Sequence, residues 1–196
     1  MSRSATVERN TTETRIRATL NLDGSGQSRI QTPLPFLSHM LEQLPRHGGF
    51  DLEVEATGDV AIDGHHTTED VGIVLGRCLQ QALGDRRGIR RYGAATLPMD
   101  EALVRVALDL SGRAYFVWRM ELPAAKLGEF DTELAEVFFE AFARSAQINL
   151  HVHQLEGRNL HHLIEIAFKA LARALSEACG QLPGSTALPS TKGHLD

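Results

Sequence analysis

His65-His66-Thr67-Thr68-Glu69 and His161-His162-Leu163-Ile164-Glu165 spell one pattern, HHxxE, twice in the same chain, almost half its length apart. Recurrence at that distance points to an internal repeat, and the flanking sequence repeats with it. Each motif opens an apolar run with helical periodicity, residues 71–84 and 166–180, and each run stops at a glycine, Gly84 and Gly180. Before each motif lies a stretch of alternating polarity, 50–58 and 148–157, which predicts a strand. Further upstream come two more helical runs, 35–48 and 131–146. Before those stand two segments that read as hairpins, 14–32 around Asp23-Gly24 and 102–122 around Ser111-Gly112. Each half therefore reads strands, helix, strand, helix. The predicted class is α+β with an internal duplication, one repeat over residues 1–90 and a second over 91–196. The tail beyond Gly180 is rich in Pro, Gly, Ser and Thr and reads as a loop.

The chain has 196 residues, enough to bury roughly 70% of its unfolded surface. A net charge of −5 makes no electrostatic case for nucleic acid or an anionic membrane. No apolar run reaches the ~18–20 residues of a membrane span, and the N-terminal stretch lacks a signal-peptide core, so a cytoplasmic protein is expected. Cys78 and Cys179 have no metal-ligand spacing and read as buried, reduced thiols. The unusual count is histidine, nine in all.

Helical geometry gives the motifs a chemical reading. Residues i and i+4 share a face, while i+1 points about 100° away. His65 with Glu69, and His161 with Glu165, can each grip one ion, whereas His66 and His162 turn aside. Two metals follow, each taking a His/Glu pair from one motif and a lone histidine from the other. Imidazole and carboxylate without thiolate suit Mn, Fe, Ni, Co or Zn. One such histidine pair at a helix start is ordinarily surface or capping chemistry. Two copies at equivalent places of a duplication mark a shared polar task. Superposing the halves puts Met40-Leu41-Glu42 on Phe138-Phe139-Glu140 and His39 on Val137. If His39 is a ligand, its twin site lacks that imidazole, and water, His151 or His153 is left to take its place.

Six stretches sharpen the reading: Phe36-Leu37-Ser38-His39-Met40-Leu41-Glu42-Gln43, His47-Gly48-Gly49-Phe50-Asp51, His65 to Asp70, Pro98-Met99-Asp100-Glu101-Ala102-Leu103, Asp109-Leu110-Ser111-Gly112-Arg113 and Ser190-Thr191-Lys192-Gly193. In this order they closely resemble the imidazoleglycerol-phosphate dehydratase family of histidine biosynthesis, from about residue 5 to the end. The resemblance implies a duplicated subunit (ribosomal protein S5 domain 2-like), a hollow shell of 24 subunits, and two Mn2+ per subunit held where subunits meet. It implies His39, His65, His66, Glu69, His161, His162 and Glu165 as metal ligands. It implies Glu13, His66 and Glu165 as catalytic residues, with Glu13 the acid/base carboxylate. Gln43 and His47 would contact substrate hydroxyls, and Arg91, Arg113, Ser190 and Lys192 the phosphate. Many relatives carry a histidine where Val137 stands, and often Asp-Asp where this chain has Asp63-Gly64.

The implied reaction converts D-erythro-imidazole glycerol phosphate to imidazole acetol phosphate. The ring bridges two cations only as an imidazolate, which two Lewis acids make accessible near neutral pH. Hydroxide then leaves the ring-adjacent carbon, a base takes the proton from the next carbon, and the enol becomes a ketone. A metallohydrolase would use similar ligands, but no carboxylate-bridged site or nucleophile is evident. A metal-storing shell would need neither the arginines nor the Ser-Thr-Lys-Gly tail.

Overall fold

The computed structural model of the chain describes residues 3–195, so residues 1, 2 and 196 of the two predicted halves lie outside the described residues. The first half holds strands β1 (Ser4–Asn10), β2 (Thr14–Asn21), β3 (Ser28–Gln31) and β4 (Asp51–Gly58), with helices α1 (Pro35–Gly48) and α2 (His65–Leu83). The second holds β5 (Tyr92–Met99), β6 (Ala102–Asp109), β7 (Tyr115–Arg119), a small β8/β9 hairpin (Lys126–Leu127 and Phe130–Asp131), α3 (Leu134–Ala146), β10 (Asn149–Glu156) and α4 (Leu160–Cys179).

The duplication is visible in the sheets. One runs β1-β2-β4-β3 and the other β5-β6-β10-β7. In each, the first two pairings are antiparallel and the last is parallel. This corrects the two predicted hairpins. Segment 14–32 does hold two strands, but β4 lies between them, and β10 separates β6 from β7 in the same way. The true hairpin partners are β1 and β5. The physical reason is the helix that follows. A parallel pair needs a crossover, and α1 and α3 supply it between β3 and β4 and between β7 and β10.

Strand alternation sets the layers. In β2, Ile16, Ala18 and Leu20 are buried while Arg15 and Arg17 face out. In β10, Leu150 and Val152 are buried beside the outward-facing His151 and His153. The inner faces of both sheets cover the helices: α2 lies on β1 and β2, α4 on β5 and β6, α1 packs on α4, and α3 on α2. In α1 the buried Leu37, Met40, Leu41 and Leu44 follow the spacing of one helix face. Phe138 and Phe139 of α3 meet Phe168 of α4, each with centroids 4.9 Å apart. The α2/α3 contact depends on glycine. A Cβ at Gly72 would lie 2.8 Å from the Phe138 carbonyl oxygen, and one at Gly76 would lie 2.5 Å from that of Phe142.

These contacts also give direction. Gly72 meets Phe138 and Gly76 meets Phe142, so α2 and α3 run parallel. Phe36 meets His161 and Gly48 meets Ala172, so α1 and α4 run parallel too. Gly64, the N-cap of α2, sits against Leu34 at the start of α1 and Leu134 at the start of α3. All four helices therefore begin at one end of the molecule, and both HHxxE motifs lie there.

Candidate metal centre

Each motif occupies the first turn of its helix, α2 or α4. The Asn159 side chain caps α4, its Oδ1 accepting from the N–H groups of His161 at 3.0 Å and His162 at 3.3 Å. This leaves the imidazoles free to project from the helix end. His161 Nε2 lies 3.0 Å from Glu165 Oε2, as the i,i+4 spacing requires. His39, one turn into α1, brings its Nε2 to 3.3 Å from the same oxygen. Among the described residues, His39, His161 and Glu165 form one group whose ligand atoms lie within 4.8 Å of one another. Two imidazoles and a carboxylate converging on a point make a donor set suited to a divalent first-row cation. Phe36 packs edge-on against the His161 ring, centroids 5.2 Å apart, and an apolar hollow of ≈ 460 Å³ opens beside it between Leu34, Leu127 and Phe130.

Burial pushes the Glu165 carboxyl up, but hydrogen bonds from Lys169, His161 and His39 outweigh it and leave the group below its usual range. Lys169 Nζ is 2.6 Å from Glu165 Oε1, the oxygen the imidazoles leave over. Lys169 stands four residues after Glu165 and so on the same helix face, a spacing already present in the sequence. Burial, with Lys169 and Arg173 nearby, lowers the His47 pKa. Gln43 is buried, and its Nε2 donates to the His39 carbonyl at 2.9 Å.

The remaining histidines of the motifs have other neighbours. His66 Nδ1 lies 3.0 Å from Asp59 Oδ2 and 3.8 Å from Glu13 Oε2. The Asp59 hydrogen bond, aided by the Glu13 charge, raises the His66 pKa. His162 Nδ1 lies 2.9 Å from Glu101 Oε2. That bond raises the His162 pKa and draws Glu101 down to about 2. His65, His66, Glu69 and His162 are at the same end of the molecule as the His39 group but do not join it within one chain. His151 and His153 stand on the outer face of the second sheet, opposite the helices, so within the chain they do not face Val137 of α3.

The four residues assigned to phosphate lie elsewhere. Arg91 grips Asp109 with Nε–Oδ1 at 2.7 Å and Nη2–Oδ2 at 2.9 Å, and its Nη1 donates to the Pro189 carbonyl at 2.8 Å. Ser190 Oγ accepts from the Lys192 N–H at 3.2 Å. Arg113 follows β6, where its carbonyl accepts from Asn149 Nδ2 at 2.7 Å. The tail is thus a loop, as expected, and Arg91 ties it to the body of the protein. The Arg91 N–H donates to the Ala178 carbonyl in the last turn of α4. His161 opens that helix, so at 1.5 Å per residue about 25 Å separates the phosphate set from the metal group. One chain thus holds two chemically distinct clusters at opposite ends.

The fold and this group define a duplicated α+β protein with a histidine–carboxylate centre of the kind that holds a divalent metal. Comparison with known proteins gives the particular family. The sequence model of imidazoleglycerol-phosphate dehydratase matches residues 32–175. An imidazoleglycerol-phosphate dehydratase of Pelobacter propionicus is 55% identical over 195 residues, covering 100% of both chains. One from Xanthobacter autotrophicus is 56% identical over 194 residues, covering 98% of each. Among solved structures, the Staphylococcus aureus enzyme aligns with a TM-score of 0.83 at 39% identity, over 91% of this chain and 99% of its own. The Pyrococcus furiosus enzyme aligns at 0.83 and 34%, over 96% and 100%. The chain belongs to the imidazoleglycerol-phosphate dehydratase family, a family of hydro-lyases.

Proposed function

We propose that this protein dehydrates D-erythro-imidazole glycerol phosphate to imidazole acetol phosphate in histidine biosynthesis, in the cytoplasm, with Mn2+ at sites shared between subunits. The observation that carries the shared site is the distance of about 25 Å between the His39–His161–Glu165 group and the Arg91–tail cluster. A three-carbon chain between ring and phosphate cannot reach from one to the other, so the phosphate residues come from a neighbouring copy. A closed 24-subunit shell is an assembly in which every copy would offer both ends.

His39, His161 and Glu165 would hold one metal, with His66 of another copy. His65, Glu69 and His162 would hold the second, where Val137 supplies no imidazole. Metals bound there would supply Lewis acidity that eases loss of the substrate ring's N–H proton, and the deprotonated ring is the stronger electron donor. Glu13, half exposed and beside His66, takes up the proton from the carbon next to the one that loses hydroxide. The electron pair left behind forms the carbon–carbon double bond of the enol as hydroxide departs, the hydroxide and the proton taken up by Glu13 leave together as water, and tautomerisation of the enol gives the ketone. Gln43 and His47 contact the substrate hydroxyls, and Arg91, Arg113, Ser190 and Lys192 balance the phosphate charge.

The test is direct. Purified protein loaded with Mn2+ is given the substrate and ketone formation is followed; no product across a wide concentration range overturns the proposal. Elemental analysis should find two metals per chain, and mass photometry a particle of 24 chains.

A further inference from the structure

The two halves hold the second histidine of each motif alike, but with carboxylates from different elements. His66 faces Asp59 through Nδ1 at 3.0 Å, and His162 faces Glu101 through Nδ1 at 2.9 Å. Neither carboxylate belongs to an HHxxE motif. Asp59 follows β4, and at the matching point after β10 stands Gly157, which has no side chain to offer. Glu101 belongs to the turn between β5 and β6. The matching turn, between β1 and β2, holds Glu13, 3.8 Å from His66 Nδ1. The same hairpin turn thus aims a carboxylate at the same ring in both halves, and in the first half Asp59 has taken over the close contact.

An ionised carboxylate only accepts hydrogen bonds, so the Nδ1 facing it carries the hydrogen. A neutral ring with its hydrogen on Nδ1 keeps its lone pair on Nε2. We infer that Asp59 and Glu101 are positioning residues that lock His66 and His162 in one tautomer and orientation, each presenting Nε2 to a divalent cation. In the first half this arrangement leaves Glu13 free of the positioning task and able to exchange protons. The inference rests on the proposal that His66 and His162 are ligands.

The surroundings of the two carboxylates predict different responses to amide substitution. Glu101 Oε1 accepts from the N–H groups of Asn159 at 2.8 Å and Arg158 at 3.4 Å. In Glu101→Gln the amide oxygen stays on those donors, because reversal would set NH2 against them. The NH2 then faces His162 Nδ1 and forces its hydrogen onto Nε2, which removes the lone pair. Asp59 Oδ1, by contrast, is buried without a hydrogen-bond partner among the described residues. In Asp59→Asn the amide is free to turn its oxygen toward His66 and preserve the tautomer.

Equilibrium dialysis of the purified protein against a series of free Mn2+ concentrations, with bound metal counted by elemental analysis, tests this. Glu101→Gln and Asp59→Ala should weaken binding about 10–100-fold at one class of site, with the thermal midpoint of the metal-free protein unchanged. Asp59→Asn should stay within about threefold of the parent, since an amide oxygen still accepts. His66→Ala and His162→Ala should each remove a class of site. If both histidine variants lose metal while Glu101→Gln and Asp59→Ala bind like the parent, the positioning role is overturned and the ligand assignment stands. If the histidine variants bind like the parent, the ligand assignment itself falls.

Discussion

Mixing two impaired variants, assayed at substrate well below KM, should restore activity if the two ends of α4 serve different sites. His161→Ala removes an imidazole from the helix-start group, and Lys192→Ala removes a cation from the tail. Within one chain these positions are separated by most of a helix of 20 residues, about 25 Å from His161 to the turn that carries Arg91. If each site takes its metal residues from one copy and its phosphate residues from another, a random equal mixture gives each site an intact metal end half the time and an intact phosphate end half the time. About one quarter of the sites in a closed, symmetric assembly are then wholly intact. Co-expression of the two variants with different tags, tandem purification and the ketone assay measure this directly. Recovery near one quarter of parental activity supports the shared site. Recovery no greater than the sum of the separate variants refutes it, since variants on one chain's own site cannot complement.

Other outcomes follow from the same geometry. Lys192→Ala alone should raise KM more than it lowers kcat, as loss of uniform phosphate binding does; steady-state kinetics check it, and a pure kcat loss counts against the phosphate role. His66→Ala should abolish turnover while circular dichroism shows the fold intact. Val137→His should tighten Mn2+ binding at the weaker site by at least about tenfold, or about 1.4 kcal/mol, as measured by equilibrium dialysis. Gly76→Leu should destabilise by about 1–3 kcal/mol or more, because the added carbons meet backbone atoms of α3 at Phe142 and Ala146 that cannot give way; the thermal midpoint reads this. Burial pushes Cys78 up to about 11 and Cys179 up to about 12, so neither should react with a thiol reagent until the protein unfolds.

Much of the architecture was legible from periodicity. Helix α1 falls on the predicted 35–48, β4 and β10 lie within the predicted stretches, and both HHxxE motifs open helices. Hairpin partners were misread because alternation shows that a segment is a strand without showing which strand lies beside it. β3 and β7 pair with strands that follow a whole helix later. The i,i+4 rule found the His161–Glu165 contact, and the same rule applied once more reaches Lys169. Asp59 and Glu101 had no such signal. Glu101 stands 61 residues from His162 and meets it only because the β5–β6 turn folds over the start of α4.

The sequence by itself determined what is local and what is repeated. A duplicated motif at helical spacing, strand alternation and a loop-forming tail are properties of neighbouring residues, and short-range geometry is enough to read them. Only the tertiary structure decided which distant side chains share a point in space. It set His39 of α1 beside His161 and Glu165 of α4 because those two helices run parallel from a common end. It also sent Arg91 and the tail to the other end of α4, since β5 starts where that helix stops. Adjacency of this kind comes from packing two sheets over four helices, a long-range condition that no window of sequence contains.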